Sequence, residues 1–336
     1  MKKTVFLSYL ALLLCFVLPL SRRDRPAVAA PPPPVAEEAA ALPSPAPSAA
    51  PAESPSPAAP APETLRVLTA EGLREMRMQD YLPGVVAAEM PAAFPEEALK
   101  AQAVAARTYA LYCAASGKHS GADVCTDPGC CQAWADEPAL RERWGGEYDA
   151  WAEKCRAAVA ATEGVYLSYK GAPVFAAFHA ASAGATEDSG RVWEARPYLR
   201  SVPSPESADT VPDFVTTLRC SALDFRDTLL SARPEADLTG APETWLGELT
   251  RDESGRVDTV TLGGIPFRGT ELRRLFSLRS AAFSLDWTGE GFLFTVTGSG
   301  HGVGMSQYGA AVMAEEGALY PEILAHYYPG TTLERA

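Results

Sequence analysis

The sequence predicts an α+β fold for residues 64–336, and three observations carry that expectation. Long Ala/Leu/Val runs with helix-start signals recur, most clearly in FPEEALKAQAVAARTYALYCAAS. There Pro95 sits in the first turn, and Glu96 and Glu97 follow at the positive end of the helix dipole. Short β-branched and aromatic runs bounded by turn signals stand between such helices, as in GVYLSYKGAPVF. Helices and strands alternate without a regular strand–helix–strand repeat, so short antiparallel sheets in one region are expected rather than one wide parallel sheet.

In chain order, residues 65–69 and a few residues around Met76 read as a hairpin turning near Glu71-Gly72. A short helix then ends at Glu89, with Pro83 suited to its first turn and Pro91 biasing Met90 away from helical backbone. After the Pro95 helix, residues 138–162 read as one or two helices interrupted at Gly145-Gly146. Two strands joined at Lys170-Gly171 come next and run into a loop of small residues. Residues 200–255 read as loops and short helices. GFLFTVTGSGHGVGMSQYG reads as a strand, a glycine-rich loop and the start of a helix, and a last helix is expected near residues 321–328.

The N-terminal fifth has a different character. Two lysines precede an apolar run over residues 4–20, and Arg22, Arg23 and Arg25 follow at once, which points to an uncleaved membrane anchor over residues 1–21. The Ala27-Val28-Ala29 triplet is the alternative, a cleavage site. Residues 22–63 form a Pro/Ala-rich linker that cannot bury a core and holds the folded region away from the membrane. The chain is a single-pass membrane protein in this reading, with its main domain outside the cytoplasm. A net charge of −13 and the lack of a basic face argue against nucleic acid.

Glu89 is the first candidate for chemistry. Its neighbours one turn away are Val85, Val86, Ala92 and Ala93, so no basic side chain offsets its charge, and it sits at the negative end of a helix. Apolar surroundings and the dipole both raise a carboxyl pKa, which makes Glu89 a candidate proton donor. Arg107 is also ringed by apolar residues: Ala103, Val104, Ala110 and Leu111. Such a cation meets an anion from elsewhere, or snorkels to water.

HSGADVCTDPGCC offers His119, Cys125, Cys130 and Cys131 around an Asp127-Pro128-Gly129 turn, a set that suits a tetrahedral, structural zinc ion. Disulfide bonding is the alternative, since Cys113, Cys155 and Cys220 are also available to an exported domain. The loop GSGHGVGMSQYG has Val303 where a dinucleotide fingerprint needs glycine, and it lacks the Lys-Ser/Thr ending of a P-loop. Its alternate glycines allow close approach to a ligand or sharply bent backbone around His301. No Gly-x-Ser-x-Gly elbow and no His-Glu-x-x-His motif is present, so serine-hydrolase and zinc-peptidase readings have little support.

YLPGVVAAEMPAAFPEEALKAQAVAARTYAL and GSGHGVGMSQYGA closely resemble the signatures of the stage II sporulation protein D family. FHAASAGATED is similar to that family's Ser-x-Gly-x-Thr-Glu segment, departing from it at Ala183. The resemblance covers essentially the whole folded region. It implies a membrane-anchored lytic transglycosylase that cuts peptidoglycan glycan strands, preferring strands stripped of stem peptides, at the sporulation septum on the mother-cell side during engulfment. The glutamate of Glu-Met-Pro, here Glu89, would be catalytic. The His-x5-Cys-x5-Cys zinc pattern of relatives falls on His119, Cys125 and Cys131, with Cys130 as the fourth ligand. Arg107, Tyr109, Ser182, Thr186, His301 and Gln307 become candidates for a substrate-binding groove. Stage II sporulation proteins P and M are the partners it implies.

The resemblance and the residues agree on chemistry. Glycosidases commonly use two carboxyl groups. A lytic transglycosylase uses the N-acetylmuramic acid 6-hydroxyl as internal nucleophile, so one acid that donates and then accepts a proton suffices. Relatives described as amidase modifiers leave a second reading, a non-catalytic glycan-binding activator of a peptidoglycan amidase.

Overall fold

The computed structural model describes residues 64–335; the expected anchor and linker lie outside the described residues. Among the described residues, no helix is long and apolar enough to cross a membrane. The described part is mixed α+β with short sheets, mostly antiparallel.

The hairpin forms as the alternation predicts. Strand Thr64–Thr69 pairs antiparallel with strand Gly72–Arg77, and Thr69 faces Gly72 across the turn. A third strand, Val124–Cys125, joins parallel to the first, so the cysteine-rich segment is stitched to the sheet at Val67 and Leu68. An Arg66–Asp123 ion pair flanks that seam.

The helix that carries Glu89 spans Met78–Glu89, beginning directly after the hairpin. Pro83 therefore lies at its sixth residue rather than in its first turn. The hairpin hands Met78 straight to the helix, a tertiary constraint that the proline alone does not reveal, and Pro83 has no N–H to return to the carbonyl four residues back. The helix stops where expected, with Met90 extended at φ −124 and ψ 138.

The Pro95 helix runs Glu96–Ser116 and ends on left-handed Gly117 at φ 62. Fourteen of its 21 residues are buried, six of them alanine, so it is the central rod of the first hydrophobic core rather than a half-exposed surface helix. Helices Glu137–Trp144 and Tyr148–Ala161 pack nearby, separated by a 3₁₀ turn at Gly145–Glu147. Strands Val165–Tyr169 and Ala172–Pro173 follow, joined by left-handed Lys170 and Gly171.

Residues 200–255 differ from their reading as loops and short helices. Strand Val215–Ser221 and strand Leu246–Arg251 bracket helix Ala222–Ala232. The first strand is an edge strand with mostly exposed residues, so it lacks the apolar alternation that marks a half-buried strand. Together with residues 257–297 these elements make two three-stranded antiparallel sheets around a second hydrophobic core, with Phe225 stacked on Phe292 at 3.8 Å between ring centroids. The first core resumes at Val303 and closes with helices Gln307–Glu315 and Tyr320–Tyr327.

The glycine-rich loop leads back into that first core. Gly298, Gly300, Gly302 and Gly304 all have positive φ. A Cβ on Gly304 would stand 2.0 Å from the Ala177 carbonyl oxygen, and one on Gly300 would meet the His179 side chain at 2.7 Å. The close approach these glycines permit is to the protein's own chain. It lets Met305–Ser306 pair parallel with Phe178–His179.

Candidate active site around Glu89

Glu89 is half-buried at the last residue of its helix. Its Oε1 accepts the Ala133 backbone N–H at 2.5 Å, and the Gln307 side chain hydrogen-bonds the same carboxyl group. Burial pushes its pKa up from 4.5 to about 7, while the Ala133 and Gln307 bonds favour the carboxylate and oppose the rise. Among the described residues no charged side chain contributes to the shift. The group can hold its proton near neutrality and still has two donors ready for the carboxylate, which is what an acid that later turns base needs.

Three separate parts of the chain position those donors. Ala133 lies just beyond the cysteine-rich turn, where Gly129 donates to Asp127 Oδ1 and Cys131 donates to the Asp127 carbonyl. Next to it, Gln132 is buried and donates to Tyr81 Oη at 3.1 Å and to the Ala106 carbonyl at 3.3 Å. Gln307 opens its helix behind Ser306, whose Oγ caps Gly309 and donates to Glu206 Oε1 at 2.5 Å. The buried Glu206 carboxyl group also takes the Ser182 N–H and the Ser204 hydroxyl, each at 2.5 Å.

The candidate groove residues therefore divide. Gln307 reaches Glu89. Arg107 does not line a groove: it is 5% exposed and donates to the carbonyls of Val165 at 3.0 Å and Val159 at 3.4 Å. Desolvation lowers its pKa to about 10, with the Glu163 charge as a partial offset. Its partners are peptide oxygens rather than an anion, because it caps the chain between helix Tyr148–Ala161 and the next strand. Tyr109 is buried too, its ring against Phe175 and its hydroxyl 3.4 Å from the Cys130 carbonyl.

Ser182 and Thr186 are fully buried and act within the fold. Ser182 Oγ pairs with His179 Nε2 at 2.7 Å, and Thr186 Oγ1 accepts the Val202 N–H at 2.9 Å. His301 is partly exposed, with its ring 4.7 Å from that of Trp193 and its Nδ1 accepting the Val303 N–H. Burial first, then Arg273 and Arg256, lower its pKa to about 3, so it stays neutral. The Ser-x-Gly-x-Thr-Glu segment thus braces the Gln307 helix from behind.

His119, Cys125, Cys130 and Cys131 come together, with one ligand atom from each lying within 4.8 Å of all the others. His119 Nε2 is 3.2 Å from Cys131 Sγ and 3.8 Å from Cys130 Sγ. A tetrahedral zinc with Zn–S bonds of about 2.3 Å sets its ligand atoms a little under 4 Å apart, so the donor set fits the ion. No disulfide joins the cysteines among the described residues. Bound there, zinc would supply a cross-link, and Gln132, the one residue between Cys131 and Ala133, would carry that rigidity to the Ala133 N–H on Glu89.

Two parts of this site escaped the sequence reading. The Ala133 N–H is a backbone group and leaves no compositional trace. Gln102 is fully buried with its Oε1 3.4 Å from Gln307 Nε2. Its neighbours one turn away are Ala98, Leu99, Ala105 and Ala106, so the pattern that singled out Arg107 also marks Gln102. Pro83, Gly84 and Ala87 of the Glu89 helix wall a groove of about 700 Å³ that Trp134, Leu140, Tyr148 and the carboxyl groups of Asp80, Asp136 and Glu137 also line, and Glu89 itself does not face it.

The profile of a family described as Stage II sporulation protein matches residues 69–169. The chain is 35% identical over 271 residues to Stage II sporulation protein D of Bacillus subtilis (strain 168), covering 79% of this chain and 77% of that one. It is 38% identical over 267 residues to the protein of the same name from Bacillus amyloliquefaciens, with 77% and 74% covered. An Amidase enhancer of Bacillus subtilis (strain 168) is 30% identical over 303 residues, which span 75% of this chain but only 40% of that protein.

Proposed function

Because this chain belongs to the stage II sporulation protein D family, we propose that it is a peptidoglycan lytic transglycosylase acting in endospore formation. The observation that carries the proposal is Glu89: a half-buried carboxyl group with its pKa raised to about 7, two donors in place and, among the described residues, no charged side chain contributing to that shift.

Protonated Glu89 donates to the glycosidic oxygen between N-acetylmuramic acid and N-acetylglucosamine as that bond breaks. The carboxylate so formed, held by the Ala133 N–H and Gln307, then accepts the proton of the muramic acid 6-hydroxyl as its oxygen attacks C1. The products are a 1,6-anhydro end and a free 4-hydroxyl. A hydrolase working through two carboxylates would need a second acid to activate water. In this reading the zinc is structural, an N-terminal anchor holds the domain at the outer face of the membrane, and stage II sporulation proteins P and M are its partners.

Similarity to an amidase enhancer supports one other reading, a glycan-binding activator of a peptidoglycan amidase. A single experiment separates the two. The purified protein is incubated with glycan strands stripped of stem peptides, and the ends are identified by mass. Anhydro ends support the lyase, and reducing ends make it a hydrolase. Intact strands together with stimulation of an added amidase leave only the activator.

A further inference from the structure

Gln102, a buried polar side chain of the central helix, meets Gln307 of the Glu89 site. Its Oε1 accepts from Gln307 Nε2, while its own Nε2 has no hydrogen-bond partner among the described residues although the residue is fully buried. An unpaired buried donor is rare and opposes folding, so a methionine of similar shape would serve packing better. The acceptor must therefore do something that packing does not require.

We infer that Gln102 is a positioning residue: its carbonyl oxygen holds the Gln307 amide so that an N–H is turned to the Glu89 carboxylate. An amide has two faces for such a neighbour. With its N–H toward Glu89 it favours the carboxylate, and with its oxygen toward Glu89 it favours the protonated acid. Gln102 Oε1 holds one N–H of Gln307 and leaves the other for Glu89. Turning Gln307 over would set two carbonyl oxygens against each other, and turning Gln102 over would set two N–H groups against each other. Turning both over together pairs Gln102 Nε2–H with Gln307 Oε1, but it sets the Gln307 oxygen against the Glu89 carboxylate; the arrangement observed is the one that keeps a donor ready for the carboxylate formed after the first proton transfer. This role rests on the reading of Glu89 as the acid and base of the reaction.

The test reads Glu89 itself. The carboxyl carbon of Glu89 is titrated by 13C NMR in the full-length protein, with the resonance assigned by its loss in Glu89→Gln. In Gln102→Met the midpoint moves upward, corresponding to roughly a tenfold gain in proton affinity, the size of one lost hydrogen bond to a charged group. Gln102→Asn, which draws the carbonyl back by one methylene while keeping an amide, shifts it in the same direction and serves if the methionine variant does not fold. Adding Gln102→Met to Gln307→Met moves the midpoint no further than Gln307→Met alone, because Gln102 acts through Gln307. An unmoved midpoint in a folded Gln102 variant, or shifts that simply add, overturns the inference. Failure of wild type to cut glycan removes the lyase reading, yet leaves this titration able to decide the role of Gln102.

Discussion

Ala133 donates its backbone N–H to Glu89 Oε1, and only Gln132 separates Ala133 from Cys131 of the His119, Cys125, Cys130 and Cys131 cluster. A metal ion held there would be mechanically joined to the candidate acid. Removing metal with a chelator is expected to lower the thermal midpoint by about 5 °C or more, given the large share of folding energy that structural zinc supplies. Glycan cleavage falls with it, and added zinc restores both. Differential scanning fluorimetry with and without zinc is the check, and a midpoint indifferent to chelator would contradict a bound structural metal.

Glu89 gives the protein a pH signature. Its folded pKa of about 7 lies above 4.5, so the folded state binds more protons than the unfolded state between those values, and this group's contribution to stability declines as pH rises through them. Glu89→Gln removes the desolvated charge. It is expected to leave stability at pH 4 nearly unchanged and to raise it at pH 8 by on the order of 3 kcal/mol. Urea unfolding at the two pH values measures the difference. In the wild type, cleavage declines above pH 7 as the donor ionises.

Arg107 is expected to matter for folding and not for glycan contact. Arg107→Ala leaves two buried carbonyls without their donor and opens a cavity beside Val159 and Val165, costing roughly 3 kcal/mol. Activity per folded molecule is retained. A variant with full stability and lost glycan binding would return Arg107 to the groove.

Gly304 of the glycine-rich loop and Gly317, beyond helix Gln307–Glu315, separate strain from crowding. Gly304 and Gly317 both have positive φ, but a Cβ meets the Ala177 oxygen at 2.0 Å in the first and nothing within 4 Å in the second. Gly317→Ala is expected to cost about 1 kcal/mol, from backbone strain alone. Gly304→Ala is expected to cost several-fold more. Chemical denaturation of the two variants checks the ratio, and equal costs would mean that the loop is not clamped to residues 177–182.

The fold was legible where a local rule and the tertiary context agree. Pro91 ends the Glu89 helix, Lys170 and Gly171 turn a hairpin, and Gly145 breaks the 138–162 helix pair. Strand Val215–Ser221 was not legible, because its edge position exposes both faces and leaves no alternation. At the site, the apolar neighbours of Glu89 foretold its raised pKa. Spacing alone did not tell a polar side chain that serves the site from one that serves the core. Arg107 and Gln102 lie on the same helix with equally apolar neighbours, yet one caps peptide carbonyls and the other meets Gln307. Ser182 was marked by its motif, but the work of that motif is to hold Glu206 behind the Ser306 cap.

Glycan cleavage by Glu89→Gln, measured beside glycan binding by the same protein, bears most directly on the single-acid mechanism. The glutamine keeps the shape and loses the transferable proton, so cleavage is expected to fall by about a hundredfold or more while denuded strands still bind. Cleavage by Glu89→Gln at the wild-type rate, with anhydro ends still formed, would contradict it.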